Sequence, residues 1–294
     1  MALAAATAFE VRRLGRAAGL VSIDHSLQDG SAAQAAAVAA LGYELGLDPV
    51  VTLPVEVGSA GGQENAARVA RYLAFDAVRG IFGSAVGDAF VLLGHTADDQ
   101  AESVLLGLGR GSGPRSIAGM RPQRDGYLRP FLGLRRAETR AACVALGLPI
   151  WDDPHNLDSR FARVRVRTEV LPLLEQILRG GVVEALTRTA RLLQEDLEAL
   201  DEWAAEVYSL AVLPDGGLEV AAIRSRPVAV QARVLKHWAE SGGADPLTST
   251  HLRLLVGLIS DWHGQGPLHL PGGYSATRSS GTLTLSPPSR DQVH

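Results

Sequence analysis

The stretch from residue 90 to residue 113 constrains the fold of this chain more than any other. It contains a short apolar run (90–93), Gly94, a polar turn, an apolar helical turn (104–108) and a glycine loop (109–113) that holds Arg110. The polar residues of the turn are His95, Asp98, Asp99, Gln100 and Glu102. This order is typical of a strand followed by a helix. Because ligands of open α/β sheets bind beyond the carboxyl ends of the strands, we expect a binding site directly after residue 93.

Two carboxylates of this stretch are placed to work together. Asp98 and Glu102 are four residues apart, so a helix that starts near Thr96 carries them on one face. Beside His95, such a pair can hold a divalent cation or steer a phosphate leaving group. The alternative is helix capping, since Thr, Asp and Glu all stabilise a helix N-terminus. The number of polar residues between an apolar strand and a basic glycine loop favours the functional interpretation.

Short apolar runs alternate with helical periodicity through the first half of the chain. Strands are predicted at 20–23, 50–55 and 90–93, and helices at 2–14, 32–45, 63–78, 97–108 and 134–146. This alternation predicts an α/β fold, with a twisted parallel sheet, helices on both faces and right-handed crossovers. The chain opens on a helix, so the strand and phosphate loop that usually begin a doubly wound domain are expected to be missing.

The pattern changes after Trp151. Residues 168–211, 224–241 and 248–263 show helical periodicity, and residues 267–285 alternate in a way that predicts a small β element. We therefore predict a nucleotide-binding α/β domain at residues 1–160 and a mainly helical domain with a small terminal β element at residues 161–294.

Composition excludes several classes of protein. The 294 residues carry a net charge of −4, so the chain as a whole is not a basic nucleic-acid coat. Cys143 is the only cysteine, which excludes a disulfide framework, a cysteine-rich zinc site and an iron–sulfur cluster. A single thiol fits the reducing cytoplasm. No apolar stretch approaches the length of a membrane span.

Two further stretches offer candidate contacts to a ligand. Asp24 and His25 follow the first predicted strand, where they could lie near a nucleotide, although taken alone they are more often a capping Asp and a structural His. Arg68, Arg71 and Tyr72 share a face of the helix predicted at 63–78. That face suits phosphate contact and base stacking, with a solvated helix face as the alternative.

An acidic turn followed by arginines marks the junction of the two predicted domains. Residues 152–158 are rich in Asp and Asn around Pro154, a composition that favours turns. The arginines that follow are Arg160, Arg163, Arg165 and Arg167. Four guanidinium groups this close form either an anion-binding site or a set of salt bridges across the junction.

Taken together, these motifs resemble the tRNA(Ile)-lysidine synthase family, a branch of the PP-loop ATP-pyrophosphatases. The resemblance covers roughly residues 20–195. It is carried by residues 21–25, 64–72, 94–102, 105–113, 129–132, 153–158, 163–167 and 171–173. The most specific part is His-x-x-Asp-Asp-Gln-x-Glu at residues 95–102 with Arg-Gly-Ser-Gly at residues 110–113.

The resemblance implies a two-step reaction. ATP, with Mg²⁺, adenylates the C2 oxygen of the wobble cytidine in the CAU anticodon of an isoleucine tRNA. Free L-lysine then displaces AMP, and the cytidine becomes lysidine. In-line attack on a phosphate needs Mg²⁺ and cationic side chains to carry the developing charge. The resemblance also implies a possible homodimer, and it assigns tRNA contact to the second domain.

The resemblance implies roles for individual residues. The catalytic residues would be Asp98, Glu102, Arg163 and Arg167, with Asp98 also positioning the metal. The nucleotide would contact Asp24, His25, Gly94 and His95. The tRNA would contact Arg68, Arg71, Tyr72 and Arg110.

The chain departs from the family pattern at its start. The phosphate loop of the family, Ser-Gly-Gly-x-Asp-Ser, is absent, and residues 1–3 resemble the residues just after it. Without the N–H groups of this loop the pyrophosphate loses its cradle, so we expect the chain as it stands to be inactive or nearly so. A start codon placed too late is the preferred explanation. The alternative is a noncatalytic tRNA-binding relic that has lost its phosphate loop.

Two smaller departures concern the junction and the length. His155 and Val164 stand where the family usually has Ser and Asn, which weakens the transfer of those two roles. The chain is also shorter than the longer family form, so tRNA contacts beyond the anticodon are expected from residues 175–294.

Overall fold

The chain forms two compact units in a computed structural model. The structure describes residues 1–24, 30–55, 63–86, 89–111, 113–152 and 158–288, without the side chains of residues 63–65 and 82–86. The units are Met1–Leu193 and Gln194–His294. The division after Leu193 lies inside the long helix α9 and does not mark the end of a domain. The domain boundary that we place at residue 160 therefore stays a prediction. In the described residues, no helix has both the length and the apolar character that a membrane span requires.

The first unit alternates helices and strands. Its helices are α1 (Ala2–Leu14), α2 (Ser31–Glu44), α3 (Gln63–Val86), α4 (Ala97–Gly109), α5 (Pro114–Ile117), α6 (Arg136–Ala145), α7 (Ala162–Arg165), α8 (Leu171–Ile177) and the start of α9 (Val182–Ala211). Its strands are β1 (Leu20–Asp24), β2 (Val50–Pro54), β3 (Val91–Leu92), β4 (Gln123–Arg124) and β5 (Tyr127–Leu128). A π-helical turn, Val166–Val170, joins α7 to α8.

The strands of the first unit form two sheets. β1 and β2 are parallel, with Leu20 opposite Val50, and β3 and β5 are parallel, with Val91 opposite Tyr127. β4 is antiparallel to β5. The predicted parallel α/β class is therefore confirmed. Among the described residues no strand pairs with both β1 and β3, so the parallel sheet is in two pieces.

Local chemistry explains several boundaries. α1 ends as predicted at Leu14, because Gly15 adopts a left-handed φ of 62° and its N–H binds the carbonyl of Arg12. α4 packs closely on α5 because Gly107 has no side chain, and a Cβ there would lie 2.4 Å from the Ser116 carbonyl oxygen. α3 continues to Val86, past the predicted end at residue 78.

Several short elements of the first unit, among them α5, β4 and α7, have no counterpart in the predicted pattern. α5, β4 and α7 have four, two and four residues, too few for a hydrophobic period to show. β3 is shorter than the predicted run 90–93, because only Val91 and Leu92 meet the ladder of β5.

The second unit packs the end of α9 and three further helices on a small antiparallel sheet. Its elements after α9 are β6 (Leu218–Glu219), α10 (Val220–Arg224), α11 (Val228–Ser241), α12 (Ser249–Ser260), β7 (Leu268–His269), β8 (Ser275–Ser279) and β9 (Thr282–Ser286). The strand order is β6-β9-β8-β7. A continuous apolar core includes Ile223, Leu235 and Leu255, each with no exposed surface. The predicted helical character and the terminal β element are both confirmed.

Candidate functional site

The site begins where β3 leads into α4. Thr96 is the N-cap of α4, and its N–H and hydroxyl donate to one carboxylate oxygen of Asp99 at 2.7 and 2.8 Å. One face of α4 buries Ala97 and Ala101 against residues of α8 and α9. Gln100 fixes another face, since its amide binds both the N–H and the carbonyl of Met120. Because these contacts fix α4, the directions of its carboxylates, Asp98, Asp99 and Glu102, are also fixed.

Glu102 is completely buried and surrounded by arginines. Arg167 binds it with two bonds, Nε to Oε1 at 2.7 Å and Nη2 to Oε2 at 3.1 Å, and Arg136 adds a third at 3.0 Å. Arg163 Nη1 lies 3.9 Å from Oε2. A forked, two-bond contact fixes both the position and the plane of a guanidinium group. Glu102 therefore orients Arg167 rather than standing open to a ligand.

Asp99 shares these arginines. Arg136 Nη2 lies 2.8 Å and Arg167 Nη2 lies 3.5 Å from its Oδ1. Burial raises the pKa of the Asp99 carboxyl, but the charge of Arg136 and the hydrogen bonds from Thr96 outweigh burial, so the pKa lies below its usual value. Asp99 is therefore ionised at neutral pH and joins two guanidinium groups to the start of α4.

Asp98 faces a different partner. Its Oδ2 accepts the backbone N–H of Arg136 at 2.7 Å, and its Oδ1 lies 3.3 Å from Nη2 of Arg135. Arg135 also binds Glu184 at 2.5 Å. Asp98 thus stabilises the first turn of α6, where backbone N–H groups need an acceptor. Among the described residues no group of three or more His, Cys, Asp and Glu side chains could hold a metal ion, and the metal role of Asp98 stays a prediction.

His95 lies half-buried just before α4. Burial lowers its pKa to about 4 from 6.5; Asp99 opposes the shift, while Arg129, Arg68 and Arg163 add to it. The imidazole is therefore neutral at pH 7. Its Nδ1 is buried and has no hydrogen-bond partner among the described residues. A buried polar atom without a partner, next to cations, marks a place where a ligand atom can bind.

Tyr72 is held by its neighbours. Its ring lies 5.0 Å from the ring of Tyr127, and the guanidinium of Arg68 lies 5.4 Å from its centroid. Its hydroxyl accepts a hydrogen bond from Arg129 at 3.3 Å. These contacts compete with the base stacking that we predicted for Tyr72. The predicted roles of Arg68, Arg71 and Tyr72 at a tRNA stay predictions.

The remaining predicted site residues lie at the edges of the described chain. Asp24 ends β1, and Arg110 is exposed at the end of α4. Gly94 is exposed, and a Cβ there would lie 3.8 Å from Leu3 of α1, so the position has room for a side chain. His25, Ser112 and residues 153–157, with His155, lie outside the described residues. Their roles stay predictions.

The sequence-based reasoning missed Arg129, Arg135 and Arg136. Arg135 and Arg136 open α6, where the positive end of the helix dipole disfavours cations. Two arginines at the positive end of a helix dipole predict that carboxylates lie nearby to compensate their charge. This signal could have identified Arg135 and Arg136 from the sequence. Arg129 gave no such signal, because its contacts with Arg121 and Tyr72 are set by tertiary structure.

Comparisons with known families follow the same division of the chain. Residues 1–174, more than half of the chain, match the PP-loop domain. Residues 218–284 match the TilS substrate binding domain. A solved U34-tRNA thiolase, NcsA from Methanococcus maripaludis, covers 59% of this chain and 61% of its own at 14% identity and a TM-score of 0.46, which is too weak a likeness to support an argument.

Curated relatives match over nearly the whole chain. The tRNA(Ile)-lysidine synthase of Salinispora tropica is 51% identical and covers 98% of this chain and 87% of its own. The enzymes of the same name from Leifsonia xyli and Streptomyces coelicolor are 50% and 49% identical, covering 98% and 97% of this chain and 86% and 81% of their own. On this identity and coverage, the chain belongs to the tRNA(Ile)-lysidine synthase family.

Proposed function

We propose that this chain forms lysidine, joining free L-lysine to C2 of the wobble cytidine in the CAU anticodon of an isoleucine tRNA at the expense of ATP. Relatives about half identical over nearly the whole chain support the reaction. The structural observation that carries the proposal is the cluster of arginines around Glu102 and Asp99, next to the unpartnered Nδ1 of His95. No observation favours a noncatalytic tRNA-binding relic.

The charges of this cluster fit a polyanionic substrate. Glu102 and Asp99 are paired with Arg136 and Arg167, so neither carboxylate presents an uncompensated negative charge to a phosphate. Arg68, Arg129 and Arg163 lie close enough to His95 to lower its pKa, which leaves an excess of positive charge around the imidazole. Such a potential favours the binding of ATP and of the phosphates that leave.

ATP supplies an activated phosphate that makes the C2 oxygen of cytidine a leaving group for the lysine amine. Arg163 and Arg167 stabilise the negative charge that develops on the departing pyrophosphate. Glu102 and Asp99 act through these arginines, as positioning residues that hold the guanidinium planes in place. The neutral His95, with Asp24, His25 and Gly94, contacts the nucleotide.

Mg²⁺ accompanies the phosphates of ATP, and Asp98 is the protein carboxylate that we assign to it. Both oxygens of Asp98 accept hydrogen bonds from α6, but each carboxylate oxygen has a second lone pair for a cation. Arg68, Arg71, Tyr72 and Arg110 contact the tRNA. The reaction takes place in the cytoplasm, and a homodimer is the proposed assembly.

Incorporation of labelled lysine into a transcript of isoleucine tRNA with a CAU anticodon tests the proposal. The chain is assayed as it stands and with an N-terminal extension that supplies a first strand and a Ser-Gly-Gly-x-Asp-Ser loop before Met1. We expect incorporation to need ATP and to disappear when the wobble cytidine is replaced by uridine. Lysine incorporation only in the extended form would support the predicted role of the phosphate loop. No incorporation by either form would contradict the proposed function.

A further inference from the structure

We propose that Trp262 in the second unit is a stacking platform for an unpaired base of the tRNA. The inference rests on the proposed function for the identity of the partner. It adds a binding residue far along the chain from the ATP site, in a part of the sequence to which we assigned no individual role.

Trp262 is one of three exposed tryptophans, with Trp151 and Trp203, whereas Trp238 is packed. Trp262 lies just after α12 with 42% of its surface exposed, whereas Trp238 of the same unit is 2% exposed and donates its indole N–H to Gly216. An indole ring is costly to leave in water unless something covers it. The exposed ring of Trp262 is therefore a candidate contact for a binding partner.

The loop that presents Trp262 is held by its own hydrogen bonds. The side chain of Gln265 donates to the carbonyl of Asp261 at 2.9 Å and accepts the N–H of His263 at 2.8 Å. These bonds bridge both sides of Trp262 along the chain. The ring is therefore presented by a braced turn.

Arg278 of β8 fixes the orientation of the ring. Its guanidinium lies 4.8 Å from the centroid of the Trp262 ring. Its Nη1 in turn donates to the carbonyl oxygens of Leu258 and Ile259 in the last turn of α12, at 2.6 and 3.2 Å. The indole thus rests on a cation that is itself anchored, and less conformational freedom is left to lose when a ligand stacks on it.

The segment that contains Trp262 carries less negative charge than α9 does, so it is the better surface for a nucleic acid. From residue 241 to residue 288 the acidic residues are Asp245 and Asp261, and Arg253 and Arg278 balance them. The described part of α9 in this unit, in contrast, carries Glu195, Asp196, Glu198, Asp201, Glu202 and Glu206. An RNA backbone is repelled by the acidic helix and not by the surroundings of Trp262.

The chemistry of the ring selects an unpaired base. Bases inside a duplex are already stacked on both faces, whereas bases in loops and at ends are free to stack on aromatic side chains or on arginine planes. Residues 218–284, which include Trp262 and Arg278, match a substrate binding domain. The surface therefore fits a loop or an end of the tRNA. A purely structural indole that covers the end of α12 is the competing explanation.

Binding of the unmodified tRNA transcript to the full chain separates the two explanations. We expect Trp262→Ala to weaken binding about 5- to 100-fold, the range that corresponds to one lost base stack, while Trp262→Phe keeps most of the affinity. Trp203→Ala is the matched control, because Trp203 is an exposed tryptophan of the same unit on the acidic helix α9. A blunt-ended RNA duplex should bind both the unaltered chain and Trp262→Ala equally.

A fluorescence measurement keeps the test independent of folding defects. In a chain with the exposed Trp151 and Trp203 replaced by Phe and the buried Trp238 kept, the indole of Trp262 should be quenched when the transcript binds. Quenching together with weaker binding by Trp262→Ala supports the platform. Transcript binding without quenching, or with equal affinity in Trp262→Ala, overturns it and leaves the proposed function intact. Absence of transcript binding by the unaltered chain overturns both.

Discussion

The two units of this chain are stabilised in opposite ways. In the second unit the described residues include one apolar cluster of nineteen buried side chains. In the first unit the cluster beside the site has five, and the same region buries Glu102 among Arg136, Arg163 and Arg167. The core of the second unit is therefore apolar, whereas the first unit buries a charged network beside its apolar residues.

The buried charges of the first unit contribute less to its stability than apolar side chains would, and we attribute their presence to the function of the site. Burying charges costs several kcal/mol per ion, which the ion pairs only partly offset, so a buried network is a poor way to stabilise a domain. It is a good way to fix guanidinium groups in place for a phosphate. The following predictions test whether the charged region and the apolar region behave as differently as their packing implies.

The largest loss of stability is expected when the charged network is broken at its centre. Glu102→Gln removes the carboxylate and leaves its arginines uncompensated, so the free energy of unfolding should fall by about 3–5 kcal/mol. Urea denaturation measures this change. Glu169→Gln is the control, because Glu169 forms an exposed pair with Arg165 and its loss should cost under about 0.5 kcal/mol. Equal effects of the two substitutions would contradict the account.

A comparable loss is expected in the apolar unit for a different reason. Leu255 has no exposed surface, and Leu255→Ala should lower the free energy of unfolding by about 2–5 kcal/mol through lost transfer energy and a cavity. Leu254→Ala, at the half-exposed neighbouring position, should cost much less. If Leu254→Ala were the more damaging change, the described core would be misplaced.

His95 makes the stability of the first unit depend on pH. Its folded pKa of about 4 lies below the unfolded value near 6.5, so the unfolded chain binds more protons between these values. Stability from this group is complete above pH 6.5 and is lost as the pH falls to 4, by about 2–3 kcal/mol. Denaturation series for the unaltered chain and for His95→Gln should separate as the pH falls below 6.5, because only the unaltered chain has a buried imidazole that resists protonation. The ring protons of His95 should titrate near pH 4 by NMR, and titration near pH 6.5 would contradict the buried, neutral imidazole.

A smaller effect is expected when the charge is kept and the geometry is lost. Arg136→Lys retains a cation but loses the shared contact of one Nη2 with both Asp99 and Glu102. One lost charged hydrogen bond of about 1.5 kcal/mol should lower kcat about 10-fold. The KM for ATP should change little, because Arg136 acts through its neighbours. A change confined to KM would instead place Arg136 in contact with the nucleotide.

The smallest effect concerns the salt dependence of tRNA binding. Arg71 is exposed on α3, and Arg71→Ala should reduce the slope of log affinity against log salt by about 0.7–0.9 if it contacts a phosphate. Filter binding at several salt concentrations measures the slope. An unchanged slope would mean that this face of α3 is only solvated.

The local elements could be predicted because their signals are local. Helical spacing over residues 2–14 predicted α1, and α4 begins directly after Thr96, where the sequence predicted its start. The placement of Asp98 and Glu102 on one helix was also correct. The different hydrogen-bond partners of Asp98 and Glu102 were not predictable, because Arg136 and Arg167 are 34 to 65 residues away along the chain. Pairing across such distances depends on packing that no spacing rule expresses.

Turnover by two variants tests the central contrast most directly. Glu102→Gln and Leu255→Ala are assayed for lysine incorporation at a temperature where circular dichroism shows both to be folded. The substitutions are made in the chain as it stands or in the N-terminally extended chain, depending on which of the two is active. We expect Glu102→Gln to lose about 100-fold or more of the turnover, because Arg167 is no longer held in place to stabilise the departing pyrophosphate, and Leu255→Ala to keep turnover within about 2-fold. Equal turnover by the two folded variants would contradict the account, because the buried charges would then serve the fold alone.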